Sequence, residues 1–217
     1  MDFDFDALHR SVLDYFKSRG LRWGGFGFGE KPAILIIDMA YGWTDPKYPM
    51  GSLRVSQAVD WIVKLLAVAR PLGVPIVYTT SPRPYCLFYD CDLSEEEKRA
   101  LAEAHRESKI DERITPRPED KVIYKTGTSA FFNTDLFRHL KLLEMDTLIV
   151  TGCSTSACVK TTVMDAEDYG FKIILVRQCI NDRSETEHEW HIRDLTRWAN
   201  AVDFEEAVEY LKRVVSE

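Results

Sequence analysis

The sequence predicts an α/β fold, a three-layer αβα sandwich around a central, mostly parallel sheet. Three observations predict it. Short, nearly continuous apolar runs alternate with segments of helical spacing along most of the 217 residues. The runs lack the in-out alternation of a sheet with one wet face, so both faces must be covered. Several runs also stop abruptly at reactive or small residues, and ligands of open parallel sheets bind at the carboxyl ends of strands.

Taken in order, residues 5–19 (FDALHRSVLDYFKSR) carry apolar residues at helical spacing. LRWGGFGFGEKP follows, rich in glycine and aromatics, and reads as a loop or arm. Ala33–Ile37 is a buried strand ending at Asp38. Val55–Leu72 reads as a helix closed by Gly73, and Pro75–Thr79 as a second strand. Ser94–Ser108 reads as a charged helix, opened by a capping box of Ser94 and Glu97. Lys121–Tyr124 is a short strand ending at Lys125, and Thr134–Leu143 a helix. Thr147–Val150 is a strand running into a cysteine-bearing loop. Val159–Tyr169 is a helix closed by Gly170. Lys172–Val176 is a further strand, and Leu195–Ala201 and Phe204–Val214 supply helical turns. No repeat or low-complexity linker interrupts the series.

A chain of this length can bury one sizeable core. Its 45% hydrophobic and 29% charged residues are ordinary for a globular protein. A net charge of −7 argues against nucleic acid or an anionic membrane as partner. No apolar run approaches the length of a membrane span. The five cysteines are odd in number, and the start MDFDFDALHR has no apolar signal core. A reducing, cytoplasmic setting is the expectation.

The stretch Leu148–Lys160 (LIVTGCSTSACVK) carries the most chemistry. A thiol placed where a strand becomes a helix lies near unpaired N–H groups, and these favour a thiolate. Asp38, Lys125 and the Cys158 loop all lie at predicted strand ends on one sheet edge. Asp38 can take the thiol proton and later deliver it to a leaving amine. Lys125 between them can hold the carboxylate by its positive charge. N–H groups of the Ser154–Cys158 turn can bind an oxyanion. Together these describe acyl transfer from an amide to a thiol, then hydrolysis of the thioester. Singly, each residue has an ordinary structural reading: a turn or cap aspartate, a solvated lysine, a core cysteine.

These segments resemble the isochorismatase-like cysteine hydrolases, most closely those of the N-carbamoylsarcosine amidohydrolase type. The resemblance rests on GFGEKPAILIIDMAYGWTDP (27–46), ITPRPEDKVIYKTGTSAFFNTDL (114–136), LIVTGCSTSACVKTTVMDAEDYGF (148–171) and CINDRSETEH (179–188). It implies Asp38 as general acid/base, Lys125 as the triad lysine and Cys158 as nucleophile. It implies a non-proline cis peptide at Cys153–Ser154, with the Ser154 and Cys158 amides as oxyanion hole. Assembly into a homo-oligomer, a dimer or tetramer, is also implied. Residues 1–24 then form an N-terminal helix and arm, and residues 25–217 the hydrolase domain. An intersubunit role for the arm, with Trp23 and Phe26, is a hypothesis.

Arg183 lies past the Lys172–Val176 strand and can grip a substrate carboxylate, as the matching arginine does in the carbamoylsarcosine-type relatives. Its plain alternative is an ion pair with Asp182 or Glu185. Tyr41, Trp43, Phe131 and Phe132 can wall a pocket, or serve as core or interface aromatics. Nicotinamidases of the superfamily carry an Asp-x-His metal pattern after the first strand. Here DMAYGWTDPKYPMG has no histidine, and His188 and His191 lack companion ligands. No metal and no cofactor are expected. The substrate expected is a small ureido or amide acid: N-carbamoylsarcosine, a related N-carbamoyl acid, maleamate or a biuret-like compound. A catalytically silent, ligand-binding member is the alternative. Residues 81–92 depart from the family pattern and are read as a specificity segment, with Cys86 and Cys91 as loop residues.

Overall fold

A computed structural model describes residues 4–21, 26–82 and 93–215. Trp23, Cys86 and Cys91 lie outside the described residues, as does most of the 81–92 segment. Six strands form one all-parallel sheet. They are β1 (Pro32–Ile37), β2 (Ile76–Thr80), β3 (Lys121–Tyr124), β4 (Thr147–Gly152), β5 (Lys172–Ile180) and β6 (Asn200–Val202). Their order is β3-β2-β1-β4-β5-β6, so the winding direction reverses between β1 and β4. Ligand crevices of doubly wound sheets open at that reversal.

The helices are α1 (Phe5–Ser18), α2 (Tyr41–Thr44), α3 (Leu53–Ala69), α4 (Glu95–Ala104), α5 (Leu136–Leu142), α6 (Lys160–Asp168), α7 (Glu185–Asp194) and α8 (Phe204–Val215). The period-2 geometry of β1 separates the two cores. Ile34 and Ile36 pack with Val55, Ile62 and Leu65 of α3 and with Leu211 of α8. Ala33, Leu35 and Ile37 face the other way, onto Leu136 and Leu140 of α5 and Val163 of α6. Every residue of β1 and β4 is buried, as their unbroken apolar runs require. The three-layer expectation holds, and the sheet is wholly rather than mostly parallel.

Helix α4 begins with the expected reciprocal cap: Glu97 N–H donates to Ser94 Oγ, and Ser94 N–H donates to Glu97 Oε2. It ends earlier than expected, at Ala104, and a short 3-10 turn spans Arg106–Ser108. Other boundaries also differ. β5 runs on to Ile180, beyond the apolar stretch, because a bulge opposite Val150–Gly152 takes in Arg177 and Gln178. Leu195–Ala201 is not helical throughout. After a 3-10 turn at Leu195–Arg197, residues 200–202 pair with Ile174–Val176 as the edge strand β6. Helix α7, unpredicted, fills the gap between.

Helix α1 has no buried residue and lies along α7 through Asp6–Arg193 (2.8 Å) and His9 Nε2–Thr196 Oγ1 (3.3 Å). Among the described residues no helix is long and apolar enough to cross a membrane.

Candidate active site

Strand register sets the site. Ile37 pairs with Gly152, Ile36 with Tyr78, and Thr80 with Tyr124. The residues that follow these strand ends, Asp38, Lys125 and Cys153, therefore emerge at one level. Gly152 has φ +108, and a Cβ there would collide with the Ile37 backbone. Only glycine lets β4 leave the sheet this close to β1. Asp38 itself has φ +53, in the left-handed region that aspartate tolerates better than most residues. Its N–H donates to both the carbonyl and the hydroxyl of Thr79, each at 3.1 Å, which fixes the turn off β1.

Lys125 and Asp38 are sealed from solvent, with side chains 0% and 2% exposed, and Lys125 Nζ stands 2.7 Å from Asp38 Oδ2. The same ammonium donates to the Gly127 carbonyl (3.0 Å) and to Cys158 Sγ (3.4 Å). The other carboxylate oxygen, Oδ1, accepts from Thr79 Oγ1 at 2.7 Å. Oδ2 is held by the ammonium and faces the Cys158 side of the site. The three residues that the sequence placed at separate strand ends thus form one contact chain.

The electrostatics differ from the expected thiolate. Burial pushes the Cys158 thiol up to about 12, and the Asp38 charge adds to the rise. Lys125 opposes both and does not reverse them. Burial alone would lower Lys125, but the charges of Asp38 and Cys158 outweigh it and the net shift is upward. The thiol therefore rests protonated beside the Lys125 ammonium. The helix-terminus argument fails here because Cys158 sits inside a buried turn, only 3% exposed.

That turn is a wide, π-type helical turn at Thr155–Val159, leading into α6. The Cys153–Ser154 peptide is cis, as the resemblance implied. Four amides of the turn are committed. Thr155 N–H donates to the Asn181 carbonyl, Ser156 N–H to Asp182 Oδ2, and those of Ala157 and Val159 to the Ser154 carbonyl. Cys153 points away into the core, its sulfur 3.5 Å from the Asp38 carbonyl.

Arg183 follows β5 at the same edge. Its Nε makes the ion pair with Asp182 that was its plain alternative (3.7 Å to Oδ1), while Glu185 pairs with Arg54. The guanidinium stands over the Trp43 ring (5.6 Å) and against Met50 Sδ (3.4 Å). Phe132 is 56% exposed and packs over Gly127, where a Cβ would meet its ring at 2.6 Å. Phe131 is buried in the core with Phe171. Tyr41 is engaged elsewhere: its hydroxyl accepts from Glu112 N–H (3.2 Å) and Arg106 covers its ring. Sequence reasoning assigns no role to Thr79 or Met50, and offers Asp182 only as an ion-pair partner and His188 only as a rejected metal ligand. Among these, Thr79 had a visible signal, a polar residue at the carboxyl end of an apolar strand. Among the described residues no group of three or more His, Cys, Asp or Glu is placed to hold a metal ion.

The chain is similar to proteins of known name. It is 32% identical over 197 residues to maleamate amidohydrolase of Pseudomonas putida, covering 88% of this chain and 92% of that one. It is 32% identical over 227 residues to N-carbamoylsarcosine amidase of an Arthrobacter species, covering 96% and 84%. Among solved structures it resembles a cysteine hydrolase of Pseudomonas syringae, with TM-score 0.76 and 19% identity, covering 89% and 99%. An N-carbamoylsarcosine amidase from Thermoplasma acidophilum gives TM-score 0.64 and 22% identity, covering 80% and 96%. At those identities the structures speak to the fold. Residues 32–206 match the isochorismatase domain, a span that takes in the whole sheet and every group just described, and the chain belongs to the isochorismatase family of hydrolases.

Proposed function

We propose that this protein is a cysteine-dependent amidohydrolase that cleaves the C–N bond of a small carboxylic acid bearing a terminal amide or ureido group. One observation carries the reading: the buried contact chain from Asp38 through Lys125 to Cys158. A binding protein has no need of a sequestered thiol beside a buried carboxylate and ammonium. Maleamate and N-carbamoylsarcosine, named in the two relatives, are both small carboxylates carrying a –CONH2 group, which supports the substrate class.

In the first step the Cys158 thiol gives its proton to Asp38 as sulfur attacks the carbonyl carbon. The oxyanion takes hydrogen bonds from the Ser154 and Cys158 amides. Asp38 then protonates the departing nitrogen, the C–N bond breaks, and ammonia leaves a thioester on Cys158. Water attacks the thioester, losing its proton to Asp38, and the proton returns to the sulfur as the C–S bond breaks. Lys125 holds Asp38 in place through their 2.7 Å contact while the proton comes and goes. Arg183 holds the substrate carboxylate, with Trp43 and Met50 beside it and Phe132 as an outer wall.

A reducing, cytoplasmic setting belongs to the same proposal, and the free Cys153, Cys158 and Cys179 support it. So does assembly into a homo-oligomer, supported by exposed Phe132, Phe137 and Tyr169 on one face. The test is an ammonia-release screen over N-carbamoylsarcosine, other N-carbamoyl acids, maleamate, biuret and nicotinamide. Turnover of the acids is the expected result. No release from any of them, by protein with an intact fold, would overturn the reading.

A further inference from the structure

We infer that Asp182 is a positioning residue that couples the carboxylate grip of Arg183 to the oxyanion turn around Cys158. The inference rests on the amidohydrolase reading for its catalytic consequence, though not for its geometry.

Asp182 is fully buried, 0% exposed. Its two carboxylate oxygens are divided between two functional segments. Oδ2 accepts from Ser156 N–H in the π-type turn (2.8 Å). Oδ1 accepts from Arg183 N–H (2.8 Å). A charged acceptor makes both bonds stronger than neutral ones. The backbone runs alongside: Asn181 N–H donates to the Gly152 carbonyl (3.1 Å) and Thr155 N–H to the Asn181 carbonyl (3.2 Å). A second peg stands behind the turn. His188, on α7, shares a 2.8 Å hydrogen bond with Thr155 Oγ1.

The arrangement has a directional consequence. A substrate acid pulling on Arg183 pulls on a residue whose N–H is held by Asp182. The opposite oxygen of that carboxylate holds the amide two residues before Cys158. Substrate binding at one end is thus transmitted to the donors that must meet the oxyanion at the other. Misplacing such donors by an ångström costs up to about a hundredfold in rate. A carboxylate buried only to shape a loop would leave kcat and KM uncoupled from each other.

Four variants test this: Asp182→Asn, Asp182→Ala, Arg183→Ala and the Asp182→Ala/Arg183→Ala pair. Each is measured on the best acid substrate for kcat and KM. Amide hydrogen exchange of the 153–160 peptide is followed in the same proteins. Asp182→Asn keeps the size and one acceptor but turns an NH2 group on one of the two amides. The expected result is a kcat lowered roughly tenfold in Asp182→Asn and about a hundredfold in Asp182→Ala, with a raised KM. Exchange at the 153–160 peptide rises in both. The double variant shows a KM no worse than Arg183→Ala alone, because the grip that Asp182 supports is already gone. Unchanged kcat with unchanged exchange in Asp182→Asn would overturn the inference. So would fully additive KM effects in the double variant. Should the wild-type protein release no ammonia from any acid, the amidohydrolase reading fails, while the exchange data still decide whether Asp182 holds the turn.

Discussion

Strand β3 is four residues long and carries a buried ion pair at each end. At its amino end Asp120 meets Arg70; at its carboxyl end Lys125 meets Asp38. The charges are the same and the burial is similar, with side chains 11% and 4% exposed in the first pair and 0% and 2% in the second. The geometry is not. Arg70 bonds both oxygens of Asp120 (3.3 and 2.8 Å) and also the Tyr78 hydroxyl (3.1 Å). Asp120 Oδ2 additionally accepts from Arg117 N–H. Lone pairs and donors there are paired within the protein, so that pair is closed. Lys125 touches one oxygen of Asp38 and spreads its other bonds to a carbonyl and a thiol, so its charge is shared between the carboxylate and Cys158. Residue type explains part of the contrast. A planar guanidinium saturates a carboxylate, whereas a point-charge ammonium leaves it reactive.

The comparison is broken most severely by deleting the thiol. Cys158→Ala should lower ammonia release by on the order of 10³-fold or more, since sulfur forms the covalent intermediate. Its melting temperature should stay close to wild type. Activity within tenfold of wild type would end the comparison, because the carboxyl-end pair would then be merely structural.

The two aspartates offer the direct contrast. Asp38→Asn should cost about 10²–10⁴-fold in kcat, the range of a lost general base. Asp120→Asn should leave kcat near wild type but lower stability by about 3–5 kcal/mol, because a buried cation loses its partner. Urea denaturation alongside steady-state kinetics reads both. A loss of kcat without loss of stability in Asp120→Asn would show that closure of the pair is not what separates the ends.

Arg183 tests whether a loosely paired cation marks function elsewhere on the same edge. It pairs with Asp182 only at 3.7 Å, through Nε, and lies against the Trp43 ring and Met50 Sδ. Arg183→Ala should raise KM for acid substrates roughly ten- to hundredfold, the worth of a charged hydrogen bond. The kcat effect should be smaller. Equal losses on acids and on neutral amides would remove the grip.

Legibility followed chemistry and periodicity. β1 and β4 were readable because both faces are buried and their runs are unbroken. Asp38 and Lys125 were readable because each ends such a run, whereas Cys158, inside the turn after β4, was readable only by the small-residue stretch around it. β6 was not: three residues pairing at a sheet edge have no apolar period of their own and depend on the partner strand. Helix α7 was hidden because ETEHEWHIRD is mostly polar and buries little more than His188 and Ile192. The roles of Asp182 and His188 were missed for a related reason. Their roles lie in hydrogen bonds to a turn remote in sequence, and no local spacing announces that.

The finest distinction concerns the charge state of sulfur. A cation 3.4 Å from a thiol is usually taken to ionise it. Here the cation is shared with Asp38, whose negative charge and the burial of the site act the other way, and the thiol is held near 12. The sign is explicit: the folded value lies above that of a free cysteine, so the thiolate is scarce at neutral pH and increases as pH rises. Alkylation of Cys158 by iodoacetamide should therefore accelerate close to tenfold per pH unit between about pH 6 and 9, with no plateau, in the substrate-free protein. Cys179, also raised by burial, should react more slowly still. Mass spectrometry of the two cysteine peptides separates them. A plateau below pH 7 would mean a preformed thiolate, and the proton would not need Asp38 in the first step. A continuous rise means the thiol rests protonated, so a base must take its proton during the reaction, and the carboxylate in contact with the same ammonium is Asp38, whereas the pair at the other end of β3 has no thiol beside it.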